Sequence, residues 1–269
     1  MRQIGSFEEY ILLTKGIRFI NNGYQFDQVK DYIQRGCLFF DETSSRRIFI
    51  FREAKFSQVI ISRLLADKAD ILIPKCFQEQ HTPMVCYLVN DNSNKELLEI
   101  WGFESICSSD KYVLVLEDLS SQLELDDLPD PLQFHMQTKT QEEVDQIRVL
   151  WEDNLPVVEV PILSNEEFKQ LEVNEQLLYI KNEETNQIVA ACYYDSLLGN
   201  STIHHIVVHK DYRKQHLASY LLSVWIKNLR QRKFKKAVCW IEEENKGSRI
   251  TFEKFGFTKS NVKSYQYIL

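Results

Sequence analysis

Hydrophobic positions recur along this chain at two different spacings, and the spacing switches several times. In LASYLLSVWIKNLRQRKF, Leu217, Leu221, Trp225 and Leu229 fall four residues apart, on one face of a helix. The preceding run STIHHIVVH, Ser201 to His209, is rich in β-branched residues and predicts a strand. LLYIKNEETNQIVAACYYD, Leu177 to Asp195, predicts two strands around a polar turn at Glu183 to Asn186. Upstream, Thr140-x-x-Glu143 has the form of a capping box ahead of Val144, Ile147, Leu150 and Trp151. Downstream, KKAVCWIEEEN predicts a strand. GSRITFEKFGF predicts a short helix stopped by Gly256 in the left-handed C-terminal position, and SYQYIL a last strand. The order is helix, hairpin, strand, helix, strand, helix, strand, which predicts an α/β fold with a mixed sheet.

The first half is less regular. CLFFDETSSRRIFIFREAKFSQVIISRLL, Cys37 to Leu65, predicts strands around a turn at Ser44–Ser45, and ILIPKCF and MVCYLV predict further strands. An internal echo then emerges. Val85 to Leu88, LLEIWGF (Leu97 to Phe103) and KYVLVL correspond in order to Val238 to Ile241, TFEKFGF (Thr251 to Phe257) and SYQYIL, with a one-residue gap. The proline-bearing, acidic stretch Ser120 to Gln133 reads as an extended connector. The expected organisation is therefore two lobes of duplicated fold, residues 1–128 and 129–269.

Composition narrows the classes. The chain of 269 residues is 44% hydrophobic and 26% charged, which excludes wholesale disorder, and its formal charge of −7 argues against a nucleic-acid partner. The six cysteines are scattered with no CxxC spacing, and Cys37, Cys86, Cys192 and Cys239 lie in apolar runs as small buried hydrophobes. No apolar stretch approaches membrane-spanning length, and the first residues have no signal-peptide core. A cytoplasmic protein with no membrane partner is expected. The six histidines have no HExxH or Cys/His zinc spacing, so no metal is expected, and there is no GxSxG nucleophile elbow.

The segment with chemical content is Val207-Val208-His209-Lys210-Asp211-Tyr212-Arg213-Lys214-Gln215-His216-Leu217-Ala218, which joins a predicted strand to a helix N-terminus. Backbone N–H groups and the helix dipole at such a junction suit an anion. Val208, Arg213 and Ala218 sit at the spacing of a Val-x-Pro-x-x, then Arg/Gln-x-x-Gly-x-Gly/Ala motif, with Lys210 in place of Pro and His216 in place of the first Gly. Farther on, Asn245, Lys254, Gly256 and Phe257 keep the spacing of an Asn followed by a helix ending in Lys-x-Gly-Phe. On these two motifs the chain resembles the GNAT superfamily of acyl-CoA-dependent N-acyltransferases, over Phe134 to Leu269. The first half resembles the degenerate copy found in tandem members, and it shows no counterpart of the phosphate-binding loop.

The resemblance implies transfer of an acetyl group from acetyl-CoA to an amine by direct attack on the thioester. Arg213, Lys214, Gln215, His216, Leu217 and Ala218 would hold the CoA pyrophosphate through main-chain N–H groups. Ile206, Val207 and Val208 would pair with the pantetheine arm, and Asn245 would touch it. The family's glutamate position is Thr202 here and its tyrosine position is Phe252, neither of which can move a proton. His204 and His205 are the candidate bases, on opposite faces if the strand is regular and exchanged by a bulge. Three alternatives follow: CoA leaves as a thiolate, Tyr265 or Tyr267 substitutes as proton donor, or the lobe is a binding module without catalysis. His209 to Lys236 carries nine Lys/Arg against one Asp, which suits a phosphate-rich ligand, and Gln122 to Gln176 carries fourteen acids against three bases. The acidic segment reads either as a solvated surface or as the lining of a cleft for a cationic amine. The acceptor expected is a small-molecule or peptide amine, and the protein a monomer or homodimer.

Overall fold

A computed structural model of the chain describes residues 1–15, 18–19, 26–43, 46–53, 55–63, 73–78, 82–90, 92–118, 127–160 and 163–269. The expected turn at Ser44–Ser45 and most of the connector from Ser120 lie outside the described residues. The chain divides into two compact units. One holds Met1–Asp110, Glu242–Glu244 and Asn261–Leu269, and the other holds Lys111–Ile241 and Asn245–Ser260.

The first unit contains β1 (Arg2–Gln3), α1 (Phe7–Thr14), β2 (Arg18–Phe19), α2 (Phe26–Gln34), β3 (Leu38–Glu42), β4 (Arg46–Arg52) and β5 (Ser57–Arg63). There follow α3 (Lys75–Gln78), β6 (Met84–Val89), α4 (Asn92–Ile100) and β7 (Glu104–Val115), whose last residues belong to the second unit. Its sheet runs β1-β3-β4-β5-β6 and continues with the chain's last strand, which pairs antiparallel with β6 through Ser264↔Val89 to Ile268↔Val85. Ile48, Phe49, Ile50 and Phe51 of β4 are all fully buried. A strand apolar at every position is one covered on both faces. Accordingly Ile48 and Ile50 pack with Leu97, Leu98 and Trp101, while Phe49 and Phe51 pack with Tyr10, Val29 and Tyr32.

One expectation fails here. ILIPKCF reads as a strand, but Lys75–Gln78 is a helical turn. The Pro74 carbonyl accepts the Phe77 N–H at 3.0 Å, and the Asp41 carboxylate accepts the Cys76 N–H at 3.3 Å. A short apolar run has no period that separates helix from strand, so a carboxylate 35 residues away in sequence helps decide it.

The second unit contains β8 (Leu132–His135), α5 (Gln141–Glu152), α6 (Asn165–Val173), β9 (Leu177–Asn182), β10 (Gln187–Leu197), β11 (Asn200–Val208), α7 (Leu217–Gln231), β12 (Lys236–Glu242) and α8 (Lys246–Lys254). β13 (Thr258–Ile268) begins here and ends as the last strand of the first unit. The strands β8-β9-β10-β11-β12 neighbour one another in that order, antiparallel except for β11 and β12, and in the first unit β5 and β6 are parallel, so each unit has a mixed sheet.

Helix α7 owes its place to its apolar face: Leu217, Leu221, Trp225 and Leu229 are at most 2% exposed. Burying each is worth about 1.5–3 kcal/mol. Trp225 stacks on Phe257 and donates its indole N–H to Ser201 Oγ at 3.2 Å. On the other sheet face α5 and α6 pack Ile147, Trp151 and Phe168 against Leu177, Tyr179 and Val207.

The duplication seen in the sequence is structural. β6–α4–β7 and β12–α8–β13 are each a strand, a nine-residue helix, a glycine and a long strand. Gly102 and Gly256 have φ of 88° and 87°, a conformation that glycine adopts without strain.

Candidate functional site

Helix α7 starts from left-handed backbone. His216, its N-cap, has φ 61° and ψ 13° and makes no side-chain capping bond, and Lys214 has φ 65°. Left-handed residues just ahead of a right-handed helix turn successive N–H groups toward one concavity, and the helix dipole adds positive potential there. Among the described residues, the N–H groups of Lys214, Gln215, His216, Leu217, Ala218 and Ser219 donate to no protein acceptor. The next, Tyr220 N–H, bonds the His216 carbonyl at 2.9 Å. This is a basic, outward-facing cradle of unpaired donors.

Several bonds hold the loop in place. Tyr212 hydroxyl accepts from Asn182 Nδ2 at 3.0 Å, and Asn182 Oδ1 accepts the N–H groups of Glu184 and Thr185. His209 Nδ1 accepts the Asp211 N–H at 3.4 Å. Arg213 donates to Asn154 Oδ1 at 2.8 Å and to the Val208 carbonyl at 3.3 Å, and its own N–H bonds the Lys210 carbonyl. Arg213 therefore fastens the loop to β11 and to the end of α5, and the open donors begin at Lys214.

Beside the cradle the sheet forks. β11 and β12 pair only at Asn200↔Lys236, Ser201↔Ala237 and Thr202↔Val238. Ile203 to Val208 stay paired with β10 on one side, while β12 departs on the other. Ile206, Val207 and Val208 thus lie on a strand edge available to an extended ligand, which is the geometry of strand addition. The first unit repeats the fork, with β5 and β6 paired only from Ser57↔Met84 to Val59↔Cys86. There, however, β2 pairs with the continuing β5 at Ser62 and Arg63.

Just past the fork, β11 bulges. Ala191 pairs with Val207 and Tyr193 with His204, so β11 spends one residue more than β10, and His205 takes φ 49°. The extra residue corrects the expectation of opposite faces for the two histidines: both lie on the α5 side. Tyr193 stacks on His204 at 5.0 Å and 20° and meets His205 at 6.0 Å, while Trp151 packs edge-on against Tyr193. His204 Nε2 lies 3.0 Å from Asp195 Oδ2. Asp195 pairs with Thr202 and Tyr193 with His204, so the period of two puts the carboxylate diagonally beside the imidazole. His205 is hemmed in by protein, and burial, with a smaller contribution from His204, lowers its pKa to about 3. Burial also pushes the Tyr193 phenol well above its ordinary value.

Asn245 is the N-cap of α8, its Oδ1 accepting the Ser248 N–H at 3.0 Å. Among the described residues its amide NH2 has no protein partner. Phe252 is 6% exposed and packs edge-on against Phe257, inside the core. Tyr265 and Tyr267, the substitute proton donors expected from the sequence, belong to the first unit, where Tyr267 is fully buried with Cys86 and Leu88.

The acidic segment is partly consumed by structure. Glu143 pairs with Lys181 at 2.8 Å, Glu167 completes a capping box with Ser164, and Glu172 accepts from Thr138. Asp195, which sequence reasoning did not single out, is the carboxylate that meets a candidate base.

An extended edge at a parallel fork, followed by a donor-lined loop opening a helix, suits an extended ligand that carries an anionic group. Residues 144–257 match the model of the acetyltransferase (GNAT) family. Among solved structures, a tandem GNAT protein from the clavulanic acid biosynthesis pathway is similar over 96% of this chain and 91% of its own, with a TM-score of 0.64 at 10% identity. A GCN5-related N-acetyltransferase from Sphaerobacter thermophilus matches 91% of this chain and 85% of its own, with a TM-score of 0.60 and 11% identity. A GNAT-family acetyltransferase from Colwellia psychrerythraea matches 100% and 98%, with a TM-score of 0.57 and 13% identity. At these identities the likeness is one of fold, and it extends over both halves of the chain. No curated protein matches the sequence. No helix among the described residues is long and apolar enough to cross a membrane.

Proposed function

We propose that the protein transfers an acetyl group from acetyl-CoA to an amine, and that His204 is the base. The observation that carries the reading is the cradle of unpaired N–H groups from Lys214 to Ser219 beside the open edge of β11. It fits a diphosphate followed by an extended amide-bearing arm. Asn245, with its free amide NH2, suits a carbonyl of the same arm.

The amine must be neutral to attack, and an alkylamine has a pKa near 10.4. In the proposed reaction the nitrogen bonds to the thioester carbon, the C–S bond breaks, and one N–H proton leaves to a base. The thiolate of CoA is finally protonated, so the sum is amine plus acetyl-CoA giving amide plus CoA thiol. His205, with its pKa lowered to about 3, is too weak a base for the proton. His204 is half-buried with a carboxylate partner, and it stands where the strands part. His204 is therefore the better assignment.

A second reading, an acyl-CoA-binding module without catalysis, is favoured by Phe252, which puts a core ring where the family has a hydroxyl. Calorimetry with CoA should give saturable binding at one molecule per chain, because in the first unit β2 pairs with the edge of β5. Ala218→Glu, placing a carboxylate in the cradle, should weaken binding at least tenfold. Undiminished affinity in that variant would refute the site. Thiol release from acetyl-CoA in the presence of butylamine, spermidine or a lysine-containing peptide then separates transfer from binding alone.

A further inference from the structure

The Asp195–His204 pair assigns a proton. At 3.0 Å the contact is a hydrogen bond, and an ionised carboxylate can only accept. The proton therefore sits on Nε2 of His204, and the lone pair of the neutral ring sits on Nδ1. Among the described residues Nδ1 has no hydrogen-bond partner. Tyr193 lies flat on the imidazole at 20°, which fixes the ring plane, and the same tyrosine is wedged against Trp151, itself 1% exposed. The groups facing His204 are thus Asp195 on β10, Tyr193 on β10 and His205 on β11.

We propose that Asp195 is a positioning residue that holds His204 in the Nε2–H tautomer, presenting Nδ1 as the proton acceptor at the fork of β11 and β12. This rests on the acyltransferase reading for the proton's source, but the tautomer itself does not. Asp195 needs no contact with the acceptor or with CoA. Its carboxylate acts through the ring, by orienting it and by stabilising the imidazolium formed once Nδ1 has taken the amine proton. The architecture gives each member one task. The bulge brings the ring onto the α5 face, Tyr193 sets its plane, and Asp195 sets which nitrogen is basic.

Nitrogen-15 NMR of the full chain with labelled histidine, assigned with a His204→Gln variant, reads the tautomer directly. An Nε2–H signal is expected at neutral pH for the unprotonated ring, and an Nδ1–H tautomer overturns the inference whatever the activity. In Asp195→Asn the carboxamide can donate, which removes the preference. With the best amine of the panel, kcat should then fall about 10- to 100-fold, while KM for acetyl-CoA stays within about twofold, as expected of a residue that acts on the chemical step. Asp195→Glu should recover part of the loss. An unchanged kcat in Asp195→Asn, or a loss carried by KM, also overturns the inference. Bound acetyl-CoA with no transfer to any amine refutes the acyltransferase reading instead, and the tautomer alone then decides the pair.

Discussion

His205 shows how one side chain can link the site to stability. Its neutral form is native, because burial lowers its pKa to about 3, whereas an unfolded histidine titrates near 6.5. The native state therefore holds fewer protons than the unfolded chain between those values. The stabilising contribution is complete above about pH 6.5 and is lost as pH falls toward 3. The melting temperature of the protein should drop between pH 6.5 and 4, and that drop should be smaller in His205→Gln, which cannot take up the proton. An equal slope in both proteins, measured by scanning calorimetry, would place the acid sensitivity elsewhere. Neighbouring His204 is identical in residue type and adjacent in sequence, yet it has a carboxylate partner. The difference comes from the bulge and from β10, neither of which is written in the His-His pair itself.

The elements show which local signals were sufficient. Thr140 caps α5 as its spacing predicts, its hydroxyl accepting the Glu143 N–H at 3.3 Å. The Glu143 carboxylate also accepts the Lys139 N–H and the Lys181 ammonium, a partner 38 residues away. Ser164 and Glu167 form a complete box at the start of α6, a helix that the apolar pattern alone did not reveal. The signal Ser-x-x-Glu was present, but only Phe168 of that helix is buried, so its hydrophobic period is faint. Helix α7 poses a different question, since its N-cap is a histidine in left-handed backbone. A β-carbon there costs about 1–2 kcal/mol relative to glycine, and the ring makes no capping bond. His216→Gly should therefore raise the melting temperature slightly or leave it unchanged, with CoA affinity within a few-fold. A collapse of affinity would mean that the imidazole itself grips phosphate.

For the whole molecule, duplication is the organising fact, and it was legible in the echo of Val85 to Leu116 at Val238 to Leu269. The membership of the units was not. Tyr112, Leu114 and Leu116 are each no more than 5% exposed in the core of the second unit, with Trp225 and Phe257. A fragment starting at residue 129 lacks them. It should show loss of near-ultraviolet dichroism and increased dye binding to apolar surface, whereas one starting at residue 111 should restore part of the native signal. Identical spectra for the two fragments would contradict the assignment of this strand to the second core.

By itself the sequence determined the mixed α/β class, the duplicated order of elements, the helix α7 and its N-terminal loop, because each rests on local periodicity or on residues a few positions apart. Tertiary structure alone decided the fork beyond Thr202, the common face of His204 and His205, the pairing of Asp195 with His204 and the exclusion of Tyr265 and Tyr267 from the second unit. Each of these depends on register between strands. One extra residue in β11 changes which side chains share a face, and no short-range pattern encodes where that residue is accommodated.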